Sequence, residues 1–134
     1  MNRVRGYIFS RPFMGERVPQ HIQNIVIRDY CERNNLHFLL SSTEYAMTGS
    51  RLVLQQLLDD LADVSGLIAY SVFQLPEQRS QRLEVYQKIH LAGKAIHFAV
   101  EGLYARSEIQ FNEIETLWKV KETIPYCVQL TDLL

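Results

Sequence analysis

Ten side chains in this sequence are of types that bind or transform small polar molecules, and most of them fall at the ends of apolar runs. Ser10 and Arg11 follow Gly6-Tyr7-Ile8-Phe9 and precede Pro12, so an extended segment stops abruptly at a hydroxyl and a fixed cation. Ser42, Thr43 and Glu44 follow His37-Phe38-Leu39-Leu40. Tyr70, Ser71 and Gln74 close Gly66-Leu67-Ile68-Ala69, and Glu101 ends Ala95-Ile96-His97-Phe98-Ala99-Val100. Arg51 stands at the head of a leucine-rich stretch. A guanidinium holds phosphate or carboxylate through its planar fork, and a partly desolvated carboxylate serves as a general acid or base. Ser10, Glu44 and Glu101 are therefore the catalytic candidates. Arg11, Ser42, Thr43, Arg51, Tyr70, Ser71 and Gln74 are the candidates for holding a ligand. The same residue types also cap loops on a solvated edge, so composition alone does not separate the two roles.

What would bring them together is an alternation of strands and helices. Val4 to Phe9 reads as a first strand, with residues 10–17 as its loop. Pro19 suits a first helical turn, where a missing N–H costs nothing. Ile22, Ile25, Val26 and Tyr30 then recur at helical spacing, and Asn34-Asn35 ends the helix because Asn tolerates the left-handed conformation. His37 to Leu40 is the second strand, with Ser41 to Tyr45 as a polar turn. Thr48 or Ser50 is placed to cap a helix with one leucine face, Leu54, Leu57, Leu58 and Leu61. Gly66 to Tyr70, apolar throughout, suits the buried middle of a parallel sheet. A helix from about Pro76 to His90, lined by Leu83, Tyr86 and Ile89, ends at Gly93, and Ala95 to Val100 is the fourth strand. Asn112 with Glu115 three residues on resembles a capping box ahead of Leu117, Trp118 and Lys121. The apolar tail, Pro125 to Leu134, is expected to pack on the body or on a second copy. Alternating strands and helices imply an α/β fold of three layers, α/β/α, with a mainly parallel sheet of four to five strands. In such a sheet the loops after the strands share one edge, where ligands gather.

Bulk properties narrow the possibilities. A length of 134 residues, with 47% apolar and 22% charged residues, fits one domain with its own core about residues 4–103 and a C-terminal helix and tail over 107–134. The net charge of −1 argues against a nucleic-acid partner, which calls for a basic balance. No apolar run approaches the roughly 18 residues of a membrane span. The chain passes directly into a strand without the apolar region of a signal peptide. Cys31 and Cys127, two in number and far apart, read as reduced thiols, so a cytoplasmic location is expected. There is no GxGxxG and no P-loop. His21, His37, His90 and His97 lie on different elements, and neither metal nor cofactor is expected.

Two resemblances are carried by particular residues. The order of elements over residues 4–103 resembles the catalytic domain of the serine recombinases (resolvases and invertases). Gln23-Asn24-Ile25-Val26-Ile27-Arg28-Asp29-Tyr30-Cys31 is similar to that family's Gln-x-x-x-Leu-x-x-Tyr-Ala, and Arg51-Leu52-Val53-Leu54 to its Arg-x-x-Leu. Gly93-Lys94-Ala95-Ile96-His97-Phe98 with Glu101-Gly102-Leu103 is similar to the strand that closes its core. The opening strand departs: where the family has Gly-Tyr-x-Arg-x-Ser, this chain has Gly6-Tyr7-Ile8-Phe9-Ser10-Arg11, with the serine one position early and the strand arginine absent. After the third strand, Val72-Phe73-Gln74-Leu75-Pro76-Glu77 stands where the family has Leu-Asp-Arg-Leu-x-Arg. Losing both phosphate-gripping arginines would cost orders of magnitude in rate, so the resemblance implies a resolvase-like or flavodoxin-like fold without strand exchange. Arg5 to Gly15 and Val18 to Asn24 also resemble the signature of the sporadic carbohydrate cluster proteins, a family implied to belong to bacterial surface-polysaccharide gene clusters. That resemblance implies a role in capsule or O-antigen biosynthesis.

Together these readings lead to a cytoplasmic protein binding a sugar or sugar phosphate at the strand ends. Arg11 and Arg51 would contact the anionic group and Ser10 and Ser42 the hydroxyls, with Glu44 or Glu101 as acid or base if chemistry occurs. The alternative is a non-catalytic module that assembles other enzymes of the pathway. A homodimer or higher homo-oligomer is expected, with no nucleic acid and no membrane as partner.

Overall fold

The computed structural model describes the backbone of residues 2–132 and the side chains of residues 2–123. Strands β1 (Arg3–Phe9), β2 (His37–Glu44), β3 (Gly66–Ala69), β4 (Ala95–Phe98) and β5 (Leu103–Ala105) form one sheet in the order β2-β1-β3-β4-β5. The first four run parallel and β5 is antiparallel to β4. Helices α1 (Gln20–Arg33), α2 (Leu52–Asp59), α3 (Arg79–Leu91) and α4 (Glu108–Asp132) connect or follow them. The expected α/β class with a mainly parallel five-stranded sheet is what the chain adopts.

Burial divides the helices between the faces. Tyr7, Phe9, Leu67 and Phe98 point into one layer with Leu54, Leu57 and Leu58 of α2, Val85 and Ile89 of α3, and Ile114 and Trp118 of α4. Val4, Ile8 and Ile68, from alternate strand positions, pack on Ile27, Tyr30 and Cys31 of α1. Each such side chain contributes about 1.5–3 kcal/mol relative to remaining exposed. Gly66 is required by close approach, because a Cβ there would run into the carbonyl oxygen of Ala95 on β4.

Several boundaries differ from the sequence expectation. Ser41 to Glu44 are strand, not turn, because β1 continues to pair with β2 as far as Phe9 opposite Glu44. Neither Thr48 nor Ser50 caps α2 through its side chain; the Glu44 carboxylate accepts from the Val53 and Leu54 amides instead. Ile22 and Ile25 are exposed, and α1 buries Gln23, Ile27, Tyr30 and Cys31. Leu83 is also exposed, with Arg82 taking the inward position beside Val85, Tyr86 and Ile89. Strand β5 escaped the periodicity because it is three residues long. Helix α4 starts at Glu108, so Asn112 lies inside it and Glu115 turns inward to Arg82 instead of closing a capping box. The helix ends at Asn35 and Gly93 are as expected, both with positive φ, 55° and 68°. The tail expectation concerns side chains outside the described residues.

Candidate functional site

The strand order reverses between β1 and β3, and in open α/β sheets ligands bind at such a point, outside the carboxyl ends of the strands. A cleft of about 550 Å³ opens there. The end of β1 supplies Phe9 and the loop after it Arg11, Phe13, Met14 and Arg17; the loop after β2 supplies Ala46, Thr48, Gly49 and Arg51. The β3–α3 connection adds Phe73 and Glu77, α3 adds Gln81, and Lys121 reaches in from α4. Four cations against one carboxylate make the lining electropositive, although the whole chain carries −1.

The cations are of two kinds. Arg11 and Arg51 flank the ring of Phe9, their guanidinium carbons 4.4 and 5.2 Å from its centroid. Arg11 donates to the carbonyls of Tyr45, Met47 and Ser50 at 2.9–3.1 Å. Arg51 donates to the carbonyls of Gln74 and Leu75 at 2.7 and 3.2 Å and to the Tyr7 hydroxyl at 3.4 Å. Partial burial and the neighbouring charge of Arg51 lower the pKa of Arg11, yet a guanidinium remains charged at any physiological pH. Both arginines thus stitch loops together while keeping part of their donor fork for another partner. Lys121 instead lies over Trp118 and Phe73, 4.7 and 5.7 Å from the ring centroids. Neither Lys121 nor Arg17 meets a carboxylate among the described residues.

The mouth of the cleft is a two-residue hairpin. Phe13 and Glu16 exchange backbone hydrogen bonds of 2.9 and 3.1 Å around Met14 and Gly15, both with positive φ. Phe13 is set edge-on to Phe9 and Tyr70, with centroids 5.7 and 6.0 Å apart. Aromatic surface therefore lies beside the charges.

Of the ten candidates, Arg11 and Arg51 line this cleft and the other eight do not. Ser10 shares the rim with Glu44, donating to its backbone carbonyl at 3.2 Å. The Glu44 carboxylate is buried and accepts from the Tyr7 hydroxyl, the Ser50 hydroxyl and the amides of Tyr45, Val53 and Leu54. Burial pushes its pKa up, but the Tyr7 bond and the three amide bonds outweigh burial and hold it below the usual carboxylate value. Tyr7 is driven the opposite way, chiefly by burial, and remains a phenol. A carboxylate held this way is a weak base with both oxygens engaged. Thr43 contacts Gln20 on the α1 side at 3.4 Å, and strand alternation turns Ser42 to the other face. Ser71 donates to Glu101 at 2.8 Å, and Glu101 also accepts from the Val72 amide at 2.9 Å. Gln74 is buried, bonded to Gln23 at 2.8 Å and to the Tyr70 amide at 3.0 Å.

Arg17, Glu77 and Lys121 escaped the sequence reading. Arg17 lies in the loop after β1 and was discoverable by counting cations in that loop; Lys121, more than a hundred positions away, left no signal. Gln23 opens the segment similar to Gln-x-x-x-Leu-x-x-Tyr-Ala but was not among the candidates. It accepts from the Phe9 amide at 3.0 Å and donates to the Phe9 and Val18 carbonyls at 2.8 Å, pinning the end of β1 to α1. No group of His, Cys, Asp or Glu among the described residues is arranged to hold a metal ion, and no described helix is long and apolar enough to cross a membrane.

Two solved structures match this architecture along almost its whole length. A resolvase family site-specific recombinase from Streptococcus pneumoniae superposes with a TM-score of 0.61 at 11% identity, over 96% of this chain and 99% of that one. The chain has a resolvase-like fold. The N-terminal catalytic domain of TP901-1 integrase matches with a TM-score of 0.57 at 12% identity, over 95% and 98% of the two chains. At such identities the likeness is one of fold, and fold does not carry function with it. No family model and no curated protein matches the sequence.

Proposed function

We propose that this resolvase-like chain is a cytoplasmic protein of bacterial surface-carbohydrate biosynthesis that binds a sugar phosphate in the cleft at the switch point, and that it is not a DNA recombinase. The observation that carries the proposal is the cleft lining of Arg11, Arg17, Arg51 and Lys121 against the single carboxylate of Glu77, with Phe9, Phe13 and Phe73 beside them. Fixed guanidiniums suit a phosphate, and aromatic faces suit the apolar face of a sugar ring. The volume lies within the roughly 300–1,000 Å³ typical of small-molecule sites. The placing in carbohydrate biosynthesis is supported by the resemblance of the Arg5 to Gly15 segment. Against strand exchange stand the absent arginines after β3, where a buried Gln74 and an exposed Glu77 stand instead.

The test is a thermal-shift series with hexose phosphates, nucleotide sugars and the matching neutral sugars. A ligand that binds the folded state raises the melting temperature by mass action. Phosphorylated sugars should raise it and neutral ones should not. Indifference to every phosphorylated sugar at millimolar concentration overturns the reading.

A second reading, a non-catalytic module that assembles other enzymes of the pathway, is favoured by one observation. Glu44, Arg11 and Arg51 spend most of their hydrogen bonds on the protein itself. Under that reading Arg17→Ala, which disturbs no described contact, leaves polysaccharide output unchanged in cells; under the first it lowers output.

A further inference from the structure

The opposite edge of the sheet holds a second concavity that the cleft does not use. On this face α1 is the helix that buries Val4, Ile8 and Ile68, and it contacts β1 and β2 and reaches β4 through Tyr30. A parallel sheet is ordinarily covered on both faces. Here the outer strands β4 and β5 present His97 and a half-exposed Tyr104, 49% accessible, beside the end of α1. The cavity between them measures about 320 Å³, and its lining includes Tyr30, Asn34, Ser65, His97, Tyr104 and Arg106.

Its chemistry is specific in three respects. The rings form a ladder: Tyr30 stands edge-on to His97 with centroids 5.5 Å apart, and Tyr104 lies tilted by 34° at 5.7 Å. Tyr104 ends that ladder, leaving aromatic surface open to a further ring. His97 shares a 2.9 Å hydrogen bond with the Tyr30 hydroxyl through Nδ1, and burial lowers its pKa to about 4, so the imidazole is neutral at pH 7. Arg106 is the one charged side chain of the lining, and no carboxylate among the described residues pairs with it. The Asn34 Oδ1 and the Ser65 hydroxyl add polar groups suited to the edge of a heterocycle.

We propose that this cavity is a second small-molecule site, taking a planar heteroaromatic ring that carries one anionic group, of the chemical type of a nucleoside monophosphate. The ring continues the Tyr30–His97–Tyr104 ladder over Tyr104, and the anion meets Arg106. An aromatic face accepts any nucleobase because every base presents a π surface, so the site discriminates by ring and charge more than by base identity. The volume, at the lower end of small-molecule sites, fits one such unit and excludes a longer polymer. The site lies at the amino ends of the parallel strands, so its occupancy is independent of the cationic cleft.

Titration of the full-length chain with AMP, adenosine and inorganic phosphate, read through the imidazole NMR resonances of His97, tests this. AMP should move His97 at or below millimolar concentration, with His21, in the first turn of α1 and outside the lining, as an unmoved internal control. Adenosine should move it more weakly and phosphate alone not at all. Arg106→Gln, an exposed change that the fold tolerates, should weaken AMP by about tenfold, toward the level of adenosine. Tyr104→Ile should remove both responses, and Arg17→Ala in the cleft should change neither. A His97 signal indifferent to AMP and adenosine, a response equal for phosphate alone, or one lost in Arg17→Ala overturns the proposal.

Discussion

Glu44 illustrates how a residue of catalytic type can be committed to architecture. Its five donors come from β1, the β2–α2 loop and the first turn of α2, so one carboxylate replaces the side-chain cap that α2 lacks. Glu44→Gln puts an NH₂ among those donors and should cost about 1–3 kcal/mol, the penalty for leaving buried groups unsatisfied; urea unfolding reads it directly. Two groups give acid stability separate signatures. The pKa of His97 falls on folding from about 6.5 to about 4, so its contribution is complete above the unfolded value and lost as pH drops between the two. The pKa of Glu44 also falls on folding, but from the carboxylate range, so its contribution disappears at lower pH still. His97→Phe should therefore flatten the unfolding midpoint between pH about 6.5 and 4, while Glu44→Gln should flatten it below that window. If both variants kept the parent's full pH slope, neither burial nor the bonds to Glu44 would be setting acid stability.

Among the elements, α4 depends most on one polar contact. The Arg82 fork meets Glu115 at 2.8 and 2.9 Å, the Tyr86 hydroxyl adds a 2.6 Å bond to the same carboxylate, and the guanidinium carbon lies 4.3 Å from the Trp118 centroid. Arg82 is 3% exposed and Glu115 9%. Removing one partner of such a pair strands the other charge, at a cost of about 3–5 kcal/mol, whereas replacing both with apolar residues can be neutral. Arg82→Ala should thus unfold at clearly lower denaturant than the parent, and Arg82→Met with Glu115→Leu should recover much of the loss. Since α4 also delivers Lys121 to the cleft, the single variant should weaken anion binding as well. Little of this was legible in the sequence. The helical period of α3 pointed to Leu83 as an inward residue, and hydrophobicity gives no hint that an arginine takes that side when its partner is thirty-three positions away. Strands β1 to β4 were legible as short, largely apolar runs between turn residues, β2 only over its first half, His37 to Leu40; β5, at three residues, was not.

At the scale of the whole molecule, alternating elements implied a mainly parallel sheet and so an edge where strand ends meet, and Arg11 and Arg51 line the cleft at that edge. Those patterns could not say which rim residues face the cleft and which face each other. Ser71 with Glu101, and Gln74 with Gln23, satisfy one another and close the rim; that pairing depends on side-chain reach across strands, to which hydrophobic periodicity is blind. The two kinds of cation around the cleft separate binding from stability. Arg11 and Arg51 hold loops through carbonyl contacts, each net worth about 1.5–3 kcal/mol for a charged donor, so their alanine variants should lose both melting temperature and anion affinity. Arg17 is exposed and Lys121 only partly buried, and neither pairs with a carboxylate among the described residues. Arg17→Ala and Lys121→Ala should therefore leave the melting temperature near the parent's and weaken a sugar phosphate severalfold each. The parent's affinity should also fall as salt rises, because charges at the rim are screened over about 8 Å at physiological ionic strength. Calorimetric titration of the four variants at two salt concentrations measures this. Equal affinity in Arg17→Ala, Lys121→Ala and the parent would remove the cleft's free cations from any role in holding an anion.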